Sequence, residues 1–77
     1  MKYYRNQEVV VKFGRRVRYL RKQQKLTQKQ MAYEIGISDV QIRRIEQGEI
    51  NTSLSVIVSI AKTLNIEIEE LFKGVSV

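Results

Sequence analysis

Residues 27–48 run Thr27-Gln28-Lys29-Gln30-Met31-Ala32-Tyr33-Glu34-Ile35-Gly36-Ile37-Ser38-Asp39-Val40-Gln41-Ile42-Arg43-Arg44-Ile45-Glu46-Gln47-Gly48. Met31, Ala32 and Ile35 recur at helical spacing and give a first short segment one apolar face. Thr27 ahead of it is an N-cap candidate, and Gly36 behind it ends it. Ser38 can cap a second segment, with Asp39 in the first turn, where the helix dipole favours a negative charge. Ile42 and Ile45 point inward, and Gly48 supplies the stop. The pattern predicts helices over 28–35 and 39–46, joined by the tight turn Gly36-Ile37-Ser38.

Two short helices across a three-residue, glycine-containing turn form the helix-turn-helix arrangement. Upstream, Val10, Phe13, Val17 and Leu20 share one face, predicting a helix over 7–24 with Asn6 as a possible N-cap. Its start is ambiguous. Val9-Val10-Val11 is β-branched, and Lys2-Tyr3-Tyr4-Arg5 suits a short strand as well as a loose tail. Downstream of Glu49-Ile50-Asn51-Thr52, Ser53 caps a helix over 54–64 that carries Leu54, Ile57, Ile60, Ala61 and Leu64. A last segment, 68–72, holds Leu71 and Phe72. Its lead-in Ile66-Glu67-Ile68-Glu69 alternates like a strand, so period alone leaves its type open. Residues 1–12 form an arm and helix start, 13–72 the domain, and 73–77 a short tail.

The chain has 77 residues, 43% hydrophobic and 29% charged, which suits one small globular domain. Cysteine and histidine are both absent. That excludes disulfides, thiolate metal sites and thiol catalysis, and removes the commonest general base. No basic residue is placed to activate a nucleophile and no glycine-rich phosphate loop exists, so an enzyme is not expected, nor a cofactor, a metal or a small-molecule ligand. No apolar run reaches membrane-span length and the start lacks a signal-peptide core, so a cytoplasmic protein is expected.

The formal net charge is +6, which suits a polyanionic partner. Ten of the basic residues fall in positions 1–29 (Lys2, Arg5, Lys12, Arg15, Arg16, Arg18, Arg21, Lys22, Lys25, Lys29), against one acid, Glu8. A basic face attracts phosphates through counterion release without reading sequence.

Sequence reading has to come from elsewhere, and the 39–46 helix supplies it. At about 100° per residue, Ile42 and Ile45 lie about 60° apart and define the buried side. Val40 stands about 200° from Ile42 and about 140° from Ile45, so it faces away from the core, and Arg44 shares that face four residues on. The outer surface presents Val40, Gln41, Arg43 and Arg44. Such a helix suits a B-DNA major groove: Arg44 donates twice to guanine, Gln41 matches adenine, and Val40 packs on a thymine methyl. Asp39 can accept from cytosine, or pair with Arg43 at i,i+4 for a few tenths of a kcal/mol. Gln28, at the start of its helix, and Gln47, Asn51 and Thr52, beyond the 39–46 helix, are phosphate-contact candidates.

These residues together resemble the lambda-repressor-like helix-turn-helix domains of the XRE/Cro family. Small phage or plasmid repressors and restriction–modification controller proteins are the similar types. The matching stretches are Phe13-Gly14-Arg15-Arg16-Val17-Arg18-Tyr19-Leu20-Arg21, Leu26-Thr27-Gln28, Met31-Ala32, Gly36-Ile37-Ser38, Ile42, Ile45-Glu46-Gln47-Gly48, and Leu64 with Glu70-Leu71-Phe72. The resemblance implies an all-α, five-helix bundle and makes 68–72 a helix. It implies that Arg21 and Glu46 form a partly buried structural pair, so that Arg21 is not a DNA contact. It places base readers at Asp39, Val40 and Arg44, with Gln41 and Arg43 beside them, and phosphate contacts at Gln28, Ser38, Gln47 and Asn51. The chain departs from the family pattern at Lys25, where glycine is usual, and at Thr52, where proline is common. Asp39 and Val40 replace commoner polar or basic types, which bears on the DNA sequence preferred.

Such a domain reads few base pairs, so the expected regulator is a homodimer on a palindromic double-stranded operator, with half-sites about 34 Å apart. Val56, Val58, Val75 and Val77 are the candidate interface residues. The competing reading is the antitoxin half of a toxin–antitoxin pair. Single-stranded RNA binding would need clustered exposed aromatics, and Tyr3, Tyr4, Tyr19 and Tyr33 are dispersed.

Overall fold

The computed structural model describes residues 6–75. The strand considered for Lys2–Arg5 and the interface residue Val77 lie outside the described residues. Five helices follow one another: α1 (Gln7–Gln23), α2 (Gln28–Ile35), α3 (Asp39–Glu46), α4 (Leu54–Leu64) and α5 (Ile68–Leu71). Among the described residues there is no strand, so the fold is all-α. α1 and α5 each end one residue earlier than their periodicity predicts, the ordinary uncertainty of a fraying last turn.

Local chemistry starts each of the four longer helices. Asn6, Thr27, Ser38 and Ser53 are extended N-cap residues whose side chains accept the N–H three residues on. At α2 the exchange is reciprocal. Gln30 N–H donates to Thr27 Oγ1 at 3.0 Å and Thr27 N–H donates to Gln30 Oε1 at 2.8 Å, forming a capping box.

The same four helices also stop in one way. Leu26, Ile37, Glu49 and Ile66 each donate their N–H to the carbonyl five residues back, on Arg21, Ala32, Arg44 and Ala61. The residue before each donor has positive φ: Lys25, Gly36, Gly48 and Asn65. This is the left-handed closure that satisfies a helix's last carbonyls. Lys25, at φ 59°, therefore keeps the turn that glycine would make. An L-residue there costs about 1–2 kcal/mol, more than the roughly 0.5–1 kcal/mol entropic cost of glycine. Lys25→Gly is expected to raise stability by about 0.5–1 kcal/mol in urea melts. A loss would mean that the lysine side chain itself holds the turn.

The core is one cluster of Phe13, Val17, Leu20, Met31, Ala32, Ile42, Ile45, Ile60, Ala61, Leu64 and Leu71. α3 lies against both α1 and α2, and α4 closes the bundle from the other side. Leu54 does not join the core. It lies on the apolar period of α4, yet it is 76% exposed. Of the interface candidates, Val56 and Val75 are half-buried against the core, and Val58 is half-buried.

Polar contacts tie the periphery to this core. Arg16 Nη2 donates to the Glu70 carbonyl at 2.9 Å and to its carboxylate at 3.1 Å, locking α5 to α1 beside the Phe13–Phe72 ring contact. Gln7 Nε2 donates to the Gly48 carbonyl at 3.0 Å and holds the loop after α3 against the start of α1.

Candidate nucleic-acid interface

α3 can present side chains outward only because its inner side is fixed. Ile42 and Ile45 are wholly buried. On the same side α1 approaches so closely that a Cβ built on Gly14 would press against the Ile45 carbonyl oxygen and lie 2.8 Å from that of Glu46. Helix α3 thus rests on backbone as well as on side chains.

Its far end is fixed by charge. Glu46 Oε2 accepts from Arg21 Nε at 2.6 Å and Oε1 accepts from Nη2 at 3.0 Å, a two-pronged pair whose side chains are 2% and 8% exposed. Arg21 Nη1 also donates to the Leu26 carbonyl at 2.7 Å. Gln28 Nε2 donates to Glu46 Oε1 at 3.1 Å. One carboxylate thereby joins α1, the start of α2 and the end of α3. Such a pair is a strong, directional contact whose members satisfy each other in low dielectric.

The outward surface follows. Val40 is 39% exposed; Asp39, Arg43 and Arg44 are exposed, and Gln41 is half-buried. The Asp39–Arg43 ion pair considered from spacing is not formed: the ion pairs among the described residues are Lys12–Glu8, Arg16–Glu70 and Arg21–Glu46. Two exposed side chains in water gain too little to offset the entropy of holding one geometry. Arg43 and Arg44 are left to point into solvent.

The residues expected at phosphates fall into two groups. Ser38 Oγ accepts the Gln41 N–H at 3.1 Å, which leaves its hydroxyl proton to donate outward. Gln28 occupies the first position of α2, where backbone N–H groups lack helical partners. Gln47, exposed, is the C-cap of α3. Asn51 and Thr52 sit further round, on a groove they share with Val9, Val10, Phe13, Ile50, Ile57 and Phe72. Sequence reasoning did not find the Gln28–Glu46 bond, which spans 18 positions, or the close approach at Gly14. A glycine inside a helical run was the available signal for the second.

Among the described residues no cluster of acidic side chains could hold a metal ion, and no helix is long and apolar enough to cross a membrane. An open cleft of about 380 Å³, not legible in the sequence, lies on α1 between Lys12, Arg15, Arg16, Tyr19 and Gly74.

Two short helices crossing through a capped, glycine-closed turn, with the second held from behind and polar in front, define a helix-turn-helix protein. The helix-turn-helix family HTH_3 matches residues 17–71. An uncharacterised HTH-type transcriptional regulator of Methanocaldococcus jannaschii is 35% identical over 57 residues, 74% of this chain and 86% of that protein. The chain belongs to the HTH_3 family, the XRE type of helix-turn-helix transcriptional regulators. Among solved structures, the restriction–modification controller protein C.AhdI of Aeromonas hydrophila superposes with a TM-score of 0.80 at 40% identity, over 82% of this chain and 96% of that one. ComR of Streptococcus suis matches at 34% identity and TM-score 0.72, over 90% of this chain but 22% of its own. An HTH_3 family transcriptional regulator of Vibrio cholerae, at 21% identity and TM-score 0.83, covers 91% of this chain and 39% of its own length, and bears on the fold alone.

Proposed function

We propose that the protein is a sequence-specific, double-stranded DNA-binding regulator of the controller or repressor type, which lays α3 in the major groove as a homodimer. The observation that carries this reading is the division of α3: Ile42 and Ile45 are sealed into the core while Val40, Arg43 and Arg44 stand in solvent. In this reading Arg44 takes guanine, Gln41 adenine and Val40 a thymine methyl, with Asp39 and Arg43 at the flanks. Gln28, Ser38 and Gln47, with Asn51 and Thr52 in the following loop, set the register on the phosphates. The net +6 charge supplies the nonspecific attraction. Similarity to C.AhdI over nearly all of that chain favours the controller type. The activity is binding, with no catalytic step, and it takes place in the cytoplasm.

Two copies then occupy half-sites about 34 Å apart on one face of a palindromic operator. Arg44→Ala is expected to weaken operator binding by about 1–3 kcal/mol in titrations at fixed salt, with melting unchanged because the side chain is exposed. An unchanged affinity would remove Arg44 from the interface.

A further inference from the structure

The outer side of α1 carries cations that the DNA-facing surface does not use. At about 100° per residue, Lys12, Arg16 and Tyr19 stand about 160°, 200° and 140° round the helix from Gly14, the residue on which α3 rests. With Arg15 and Gly74 they line the open cleft of about 380 Å³, which therefore faces away from α3. Among the described residues every charged side chain in that lining is basic. Two of the three cations are already held, Lys12 by Glu8 at 3.6 Å and Arg16 by the Glu70 carboxylate at 3.1 Å. Arg15 is exposed and has no ion pair or hydrogen bond among the described residues.

The floor of the cleft differs from its rim. Tyr19 is 53% exposed, with the Arg16 guanidinium 5.7 Å from its ring centre. Its hydroxyl accepts from Gln23 Nε2 at 2.8 Å, which leaves the phenolic proton to donate. Lysine and arginine cover apolar surface with their stems and keep their charge at the edge. Ring and stems thus make an apolar floor beneath a cationic rim.

We infer that this cleft takes an acidic segment of another protein, an apolar side chain against Tyr19 and a flanking carboxylate on Arg15. Charge sets the sign of the occupant, since opposite potentials fix partner and register. Size sets its length: an apolar cavity of about 150 Å³ holds one benzene, so this cleft has room for two or three side chains. Shape and charge balance together turn away a nucleic-acid duplex. A duplex is convex and cannot fill a recess, and Glu8 and Glu70 neutralise two of the three cations that a line of phosphates would need. One or two carboxylates need only Arg15 and the Tyr19 hydroxyl. Arg16 is already fixed by Glu70, so little side-chain order is lost on docking. The inference goes beyond the DNA reading and does not depend on it, because an occupied cleft leaves α3 free.

An amide NMR titration of the whole chain tests this. The probe is a capped peptide with one leucine between two pairs of glutamates. Its shifts should gather at Arg15, Tyr19 and Gly74 and leave Val40 and Arg44 unmoved. Arg15→Glu should weaken binding by about 10-fold or more, as loss of a charged hydrogen bond does. Arg18→Glu, an exposed cation of the same helix outside the cleft, should weaken it far less. Both side chains are exposed, so melting should not change. Exchanging the peptide's leucine for glycine should also weaken binding. No shifts at millimolar peptide, equal losses for Arg15→Glu and Arg18→Glu, or indifference to the leucine would overturn the proposal. Displacement of the peptide by a single-stranded oligothymidylate that moves the same amides would overturn it too, and assign the cleft to nucleic acid.

Discussion

Glu46→Ala is expected to destabilise the protein by about 3–5 kcal/mol, because it strands the Arg21 guanidinium in the interior without its counter-charge. The Glu46 side chain is 2% exposed and holds three hydrogen bonds, two from Arg21 and one from Gln28. Removing it leaves Arg21 with the Leu26 carbonyl alone. For a domain of this size the loss corresponds to a melting temperature lower by more than about 12 °C, a large share of the whole stability. The double variant Arg21→Met with Glu46→Leu is expected to recover most of the loss, since well-packed apolar residues replace a buried pair at little net cost. Thermal melts of Glu46→Ala, of Arg21→Met and Glu46→Leu singly, and of the double variant check this. A loss below about 1 kcal/mol for Glu46→Ala would mean that water reaches the pair and that it behaves as a surface contact.

The second large effect is Gly14→Ala. On helix propensity alone alanine should gain about 1 kcal/mol over glycine. Sterics oppose this, because the new Cβ would meet the Ile45 carbonyl oxygen and lie 2.8 Å from the Glu46 carbonyl oxygen. Backbone cannot swing aside as a flexible side chain can, so α1 and α3 must part. Overpacking of this kind costs about 1–3 kcal/mol, occasionally more. The expected net result is destabilisation of about 1–3 kcal/mol in denaturant melts, with a valine variant worse again. A stabilised Gly14→Ala would show that the two helices slide apart freely. It would also weaken the claim that α3 is rigidly presented, because Gly14 and the Arg21–Glu46 pair are two of the points where α1 grips it.

The three middle helices were legible to the residue because chemistry punctuates them. Thr27, Ser38 and Ser53 open them, and Gly36 closes the first of them. α1 and α5 lack so clear a stop, and there periodicity overran by one residue. Other features depend on three-dimensional placement that spacing does not carry. Leu54 fits the apolar period of α4, but a period says which face a residue is on, not whether another helix reaches that turn. Lys25 adopts a left-handed backbone that a lysine does not advertise, imposed by the hydrogen bond from Leu26 to Arg21. The ion pair that spacing suggested, Asp39 with Arg43, is solvated and does not form. The pair that does form, Arg21 with Glu46, lies 25 positions apart and was implied only by resemblance.

These particulars combine into one mechanism of presentation. A cap chain positions the ends of α2 and α3, a glycine lets α1 press against α3 from behind, and one buried carboxylate ties the three helices together. The outward row of Val40, Gln41 and Arg44 is then held at fixed spacing, which direct readout of base edges requires. The measurement that bears most directly on this is selection of duplex DNA from a random pool, run in parallel with the wild type and Arg44→Ala. The wild type should enrich an inverted repeat with half-site centres about one helical turn apart, and Arg44→Ala should lose its preference at one base pair per half-site while keeping the rest. If both proteins enrich the same sequence with equal preference at every position, α3 is not the element that reads the DNA.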